Sequence, residues 1–331
     1  MRATPARPAG GAATAPPRSG KDTATAPARS RHRPLFDCFL DVGAPRTTDP
    51  GLRLNPKAVL QRAGSPPPAV SRHAPHRGRL RPGYPIAWVE QTQTAVLAPF
   101  WIMHGWARAV MALFDGSLAP DDLDERLRAA LLAARVLLRP GEEPEAAVWI
   151  DGPRRELASQ GWTLLEQPLP DAQLRALRRY CRALVDGRQL RFGDSQCPER
   201  AVAHNEGVAR FWHHQLTGLI TRLAGEALKP SYSYLASYGP GASLPAHLDR
   251  EQCEITVSLL VDFEPEPDRA SPWPLIVEGE EGDVPIYQAI GDAVVLRGRQ
   301  LRHRRDRFDD GLRSTSIFFH FVPAGFTGPL Q

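Results

Sequence analysis

Cysteine is scarce. The 331 residues hold four, Cys38, Cys181, Cys197 and Cys253, widely separated and with no Cys-x-x-Cys pair. That scatter excludes a disulfide-stapled scaffold and a zinc knuckle, and it fits a reducing compartment, so a cytoplasmic location is expected. Long apolar runs are lacking too. The longest, Ala95 to Met103, is interrupted by Pro99 and falls far short of the roughly 20 residues a membrane helix needs. No membrane association is therefore expected, and the Ala-, Pro- and Arg-rich start carries no continuous apolar stretch of the kind a secretory signal uses.

Proline, in contrast, is plentiful at 33 residues, about twice the usual share. Fifteen of these lie in residues 1–85, together with 15 Lys and Arg against 4 Asp and Glu. The rest of the chain is acidic, with 26 basic against 33 acidic residues, so a basic surface for nucleic acid is not expected. Residues 1–83 lack sustained periodicity and read as a disordered basic tail. On that reading a chain beginning at Gly83 keeps its melting temperature.

Texture changes at Tyr84. Ile86, Trp88 and Val89, then Ala95, Val96 and Leu97, predict a hairpin turning near Gln91 to Gln93. Trp106, Val110, Leu113 and Phe114 recur at helical spacing until Asp115-Gly116, and Asp121 to Leu138 predicts a second helix with Leu123, Leu127, Leu131 and Leu138 as its stripe. Residues 84–153 thus form a small helical unit. Through its "LFDGSLAPDDL" turn it resembles the winged-helix peptide-recognition modules related to the pyrroloquinoline quinone chaperone, whereas a support packed on the neighbouring domain explains the same spacing.

Residues 154–331 make the third expected unit. Leu164 and Leu165 predict a strand, and Asp171 is a plausible N-cap for a helix burying Leu174, Leu177, Tyr180, Cys181 and Leu184. Phe211, Leu216, Ile220 and Leu223 mark another helix, ending near Gly225. Six strands then follow with no helix between them: Ser231 to Tyr238, Glu254 to Phe263, Pro274 to Glu278, Pro285 to Ala289, Asp292 to Leu296 and Arg313 to Val322. The class is α+β, with a sandwich or small barrel as its core.

That β region carries the chemistry. His247 and Asp249 stand two apart on a stretch that Pro245 keeps extended, and His303 follows the Asp292 to Leu296 strand. Two imidazoles and one carboxylate form the facial set that holds non-haem ferrous iron and leaves positions open. Ten residues after His303, Arg313 opens the strand "RSTSIFFHFV". Alternation places it with Thr315, Ile317, Phe319 and Phe321 on one face, read here as the inward row. A guanidinium buried there demands an anion, such as a small dicarboxylate, with Thr315 and the Tyr238 phenol as further donors.

Taken together, Tyr238 in "YGPG", "HLD" at His247 to Asp249, "GDAVVL" from Gly291, His303 and "GLRST" around Arg313 resemble the prolyl-hydroxylase type of 2-oxoglutarate- and Fe(II)-dependent dioxygenase. The resemblance implies a double-stranded β-helix (jelly-roll) with supporting helices. It also implies iron on His247, Asp249 and His303, and 2-oxoglutarate held by Arg313 and Tyr238 with Thr315 beside them. The implied activity consumes O2, hydroxylates a C–H bond of an amino acid, peptide or related small substrate, and releases succinate and CO2. Two departures, "SPWPLIVEG" in place of a glycine pair and Leu244 in place of an aromatic, fall near the expected substrate mouth.

Plain structural roles compete with each residue. Asp249 could pair with Arg250, His303 could belong to the solvated run "RHRRDR", and Arg313 could bridge Asp309 or Asp310. Two other functions also fit: a double-stranded β-helix that binds a ligand or peptide without turnover, and a peptide-tailoring enzyme using residues 84–150 to hold a leader.

Overall fold

The computed structural model describes residues 46–62, 85–91, 96–102, 104–142, 150–279 and 282–330. The chain opens with β1 (Arg53–Leu54), β2 (Ala58–Gln61), β3 (Ile86–Gln91) and β4 (Val96–Trp101). Helices α1 (Ala107–Phe114) and α2 (Glu125–Ala133) follow, then β5 (Leu137–Leu138), α3 (Asp151–Gln160), β6 (Trp162–Leu165) and α4 (Asp171–Asp186). Next come β7 (Arg191–Phe192), β8 (Arg200–His204), α5 (Gly207–Ala224), β9 (Leu228–Tyr238), β10 (Leu244–His247) and β11 (Ile255–Glu264). The last strands are β12 (Leu275–Gly279), β13 (Gly282–Ile286), β14 (Ala293–Leu296), β15 (His303–Arg305) and β16 (Arg313–Pro323).

From β9 onward the chain shuttles between two antiparallel sheets. The larger has the order β6-β14-β11-β16-β9-β8-β7 and the smaller β10-β15-β12-β13. Strands consecutive in sequence therefore lie in opposite sheets, except for the β12–β13 hairpin. This is the expected double-stranded β-helix. Five of the six expected strands are present; the one expected over Pro285 to Ala289 lies earlier, at Gly282–Ile286, and two more, β10 and β15, are too short for alternation to reveal.

Both faces of the larger sheet are covered. On the outer face α4 and α5 pack against it, and Leu177, Phe211, Trp212, Leu216, Ile317, Phe319 and Phe321 share one apolar cluster. Glu206 caps α5 by accepting from the N–H groups of Val208 and Ala209, and Gly225, at φ +73°, ends the helix as a left-handed residue should. Asp171 is the first helical residue of α4 rather than its cap, because Pro170 precedes it in extended conformation.

Two expectations for the first third are corrected. Residues 46–62, placed in the disordered tail, are built into the fold: β1 pairs with β5, and β2 adds to the β3–β4 hairpin. The remainder of that tail lies outside the described residues. The helix expected over Asp121 to Leu138 stops at Ala133; Asp124 caps it, Arg135 turns left-handed at φ +58°, and Leu137 and Leu138 leave as a strand. Leu138 thus belongs to a sheet, and its helical spacing from Leu131 is coincidental.

The first third also does not separate from the rest. Ile86 and Trp88 are fully buried in the cluster that holds Phe211 and Trp212, while Ala87, Val89 and Phe100 join a second cluster with α1 and α2. Burying a side chain of Ile86's size contributes about 1.5–3 kcal/mol, and the described residues all fall within one compact unit. The boundary expected at 153/154 is thus no break in packing.

Candidate active site

A cavity of about 660 Å3 opens between the two sheets. His247 and His303 stand opposite each other in the β10–β15 ladder, with ring centroids 4.4 Å apart. Asp249, just past β10, places Oδ1 3.6 Å from His247 Nε2 and 3.7 Å from His303 Nε2. Each histidine donates Nδ1–H to a backbone carbonyl two residues earlier, Pro245 O and Leu301 O, both at 2.9 Å. That bond fixes the tautomer and leaves both Nε2 lone pairs facing the carboxylate. Burial holds the His303 pKa below its ordinary value against the opposing pull of Asp249, so the imidazole stays neutral and able to ligate.

Asp249 is held in turn. Its backbone N–H donates to Gly298 O at 2.9 Å, and the Thr256 hydroxyl donates to Oδ2 at 2.5 Å. A Cβ at position 298 would collide with this carboxylate, so the "RGRQ" turn needs glycine there to let the aspartate reach the histidines.

The three expected metal ligands therefore converge; the expected cosubstrate residues do not all follow. Arg313 sits opposite Glu264 in the β11–β16 ladder and bonds Glu264 at 3.3 Å and Asp186 at 3.4 Å, with 43% of its side chain exposed. Neither it nor Thr315, whose hydroxyl donates to Ser237 at 3.0 Å, lines the cavity. The reason is a matter of face. The apolar row Ile317, Phe319, Phe321 packs on the helices, so the cavity-facing row is the alternate one, where Phe318 and His320 line the site. Tyr238 does line it, buried and accepting a hydrogen bond from Arg200 at 3.1 Å.

Arg305 brings a buried cation into the cavity lining. It is 4% exposed, its guanidinium lies 4.7 Å over the Trp273 ring, and it donates to Trp273 O at 2.8 Å and Gln288 Oε1 at 3.2 Å. No carboxylate pairs with it among the described residues. Burial brings its pKa down to about 10, which leaves it charged at neutral pH. Gln288 also donates to Ser258 O, and the Ser258 hydroxyl, which lines the cavity, is buried without a partner. Sequence reasoning missed Arg305 although the signal was available. Two residues past His303 on a strand means the same face, but the run "RHRRDR" reads as solvated. Arg304 between them does face outward, bonding Asp283 and Asp306.

A second arginine is neutralised within the protein. Arg200 bonds Asp194 at 2.6 Å, and Asp194 also accepts from Tyr234 at 2.7 Å. Burial alone would raise the Asp194 pKa. Arg200, Tyr234 and the backbone N–H groups of Cys197 and Gln196 outweigh it and bring the value down to about 2. At the mouth, Arg191 and Arg250 are exposed and have no ion-pair partner among the described residues, and His204 stacks on Tyr232 with centroids 5.0 Å apart.

No family model and no curated protein matches the chain. Solved structures do. A prolyl 4-hydroxylase from Pseudomonas putida is 18% identical over 53% of this chain and 100% of its own, with a TM-score of 0.44. HygX from Streptomyces hygroscopicus, solved with nickel, 2-oxoglutarate and hygromycin B, is 11% identical over 54% of this chain and 88% of its own, at 0.43. AviO1 from Streptomyces viridochromogenes Tue57 is 18% identical over 54% and 96%, at 0.42. No helix among the described residues is long and apolar enough to cross a membrane.

Proposed function

We propose that this chain is an Fe(II)- and 2-oxoglutarate-dependent dioxygenase that hydroxylates a C–H bond of an amino acid, peptide or related small substrate, releasing succinate and CO2. The observation that carries the reading is the convergence of His247, Asp249 and His303, with both imidazoles locked so that Nε2 faces Asp249 Oδ1 at 3.6 and 3.7 Å. Two neutral nitrogens and one carboxylate suit ferrous iron and leave positions for cosubstrate and oxygen. When bound, iron with 2-oxoglutarate and O2 supplies the oxidising equivalent that replaces C–H by C–OH.

The chain's own residues bind, orient and shield. Arg305 anchors the distal carboxylate of 2-oxoglutarate, because a buried guanidinium without a carboxylate requires an anion. Tyr238 and the orphaned Ser258 hydroxyl are the neighbouring donors. Asp194 neutralises Arg200 and so leaves Arg305 as the buried arginine of the cavity without a carboxylate partner among the described residues. Arg191 and Arg250, unpaired at the mouth, favour a substrate with an anionic group there. Thr256 and Gly298 hold Asp249 in place.

The test is an anaerobic titration of the metal-free protein with Fe(II) and then 2-oxoglutarate. The weak visible charge-transfer band of the chelate is expected, as is succinate formation once O2 is admitted. Loss of neither band nor succinate in His247→Ala and His303→Ala would overturn the assignment.

A peptide substrate is favoured by one further feature. The β2-β3-β4 sheet with α1 and α2 keeps the hairpin-and-helices arrangement expected of a peptide-recognition module. The β2 edge of this sheet has no partner strand among the described residues and so is able to accept an added strand. Stimulation of 2-oxoglutarate turnover by peptides but not by free amino acids would decide for it.

A further inference from the structure

We propose that Asp249, Cys253 and His320 form a second metal site, which takes zinc-class cations through a thiolate and shares Asp249 with the iron triad. The ligand atoms of the three side chains lie within 4.8 Å of one another, a spacing that bonds of about 2.0–2.3 Å close with small side-chain movements. Three different parts of the fold bring them together. Cys253 ends a tight turn, its N–H donating to Arg250 O at 2.9 Å, which carries the thiol back toward Asp249. His320 comes from β16, on the cavity-facing row. Thr256 joins the other two, donating to Asp249 Oδ2 at 2.5 Å and accepting from His320 Nδ1–H at 3.0 Å.

That last bond assigns the tautomer. With Nδ1 protonated, His320 Nε2 keeps its lone pair and has no hydrogen-bond partner among the described residues. Cys253 is 1% and His320 7% exposed, and both line the cavity. Neither is among the residues assigned above to iron or 2-oxoglutarate. The Tyr232 hydroxyl, 3.2 Å from Cys253 Sγ, stands ready as a fourth donor, with water as the alternative.

The two donor sets differ in softness. Two nitrogens and a carboxylate suit ferrous iron, whereas a thiolate, an imidazole and a carboxylate select zinc. Binding expels the thiol proton to solvent and needs no redox partner. Resting on the iron reading, one consequence follows: zinc draws Asp249 toward the inner site, away from the histidines, and inhibits turnover.

Cobalt(II) serves as the spectroscopic probe, added anaerobically to the metal-free, full-length protein. The expected result is a thiolate-to-cobalt charge-transfer band that zinc abolishes. It is absent in Cys253→Ser, requires at least about 10-fold more cobalt in His320→Ala, and persists in the His247→Ala/His303→Ala double variant. Persistence there separates this site from the iron reading, because the double variant loses iron whichever way the inner site behaves. A wild-type protein without the band, or a band surviving in Cys253→Ser, overturns the proposal. X-ray absorption on the zinc-loaded wild type gives a check free of any variant. One sulfur at about 2.3 Å is expected, and a first shell of nitrogen and oxygen alone overturns the site.

Discussion

Single residues decide the chemistry. Arg305 and Arg313 are both arginines on short-range signals from His303, but one is enclosed beside Trp273 and the other bridges Glu264 and Asp186 in solvent. Arg305→Ala is therefore expected to weaken 2-oxoglutarate by about 2–5 kcal/mol, since a buried charged contact is removed and its partner left unpaired. Arg313→Ala is expected to leave that affinity unchanged within about twofold, screened surface pairs being worth little. Anaerobic 2-oxoglutarate titration of the iron-loaded proteins measures both, and the reverse order would return the anchor to β16. Gly298→Ala tests the close approach at Asp249. Its methyl must displace the carboxylate, so iron affinity is expected to fall about 10- to 100-fold with little change in melting temperature.

At the scale of elements, β10 and β15 are the most informative strands and the least visible. They span four and three residues, below the length at which alternation registers, yet their ladder sets His247 opposite His303. β16 carries the opposite lesson. Its alternation is plain, and the apolar row faces the helices, which leaves the more polar row for the cavity. The loop between β7 and β8 supports a pH expectation. Asp194, ordinarily near 3.8, titrates at about 2 in the fold. A depressed carboxylate contributes stability that is complete above its unfolded pKa and is lost as pH falls through its folded pKa. Asp194 is thus expected to supply about 2 kcal/mol near neutrality, disappearing between about pH 4 and pH 2. Urea unfolding of Asp194→Asn against wild type at pH 7 and pH 2.5 reads this directly; an equal deficit at both pH values would refute it.

Across the whole molecule the expected tail boundary moves. Leu52 is buried in the second apolar cluster, Asn55 bonds Arg135 O at 2.8 Å, and Gln61 accepts from the indole of Trp88 at 2.9 Å. A chain beginning at Gly83 loses all three along with β2. Its melting temperature is expected to fall by several degrees, about 2–4 °C for each kcal/mol lost. A chain beginning at Arg46 keeps every described contact and is expected to melt with the full-length protein. Thermal scans of the two truncations, run beside wild type, separate the dispensable basic residues from those that complete the sheet.

Residue order and type alone singled out His247, Asp249 and His303, the three candidate metal ligands that the structure brings together. His247 and Asp249 meet His303 because β10 pairs with β15 and sets the two histidines opposite each other. The same was true of the amphipathic helices α4 and α5, whose buried positions follow directly from a 3.6-residue period. Tertiary structure decided what periodicity leaves symmetric. A strand of period two has two faces, and only packing chooses which meets helices and which meets the cavity, so Arg313 and Thr315 fell on the wrong side. Likewise, the part proposed for Arg305 rests on its enclosure by Trp273 and Gln288, and His320 and Cys253 meet Asp249 only because β16 pairs beside β11. Burial is a collective property of distant segments, and a local pattern can suggest it without locating it.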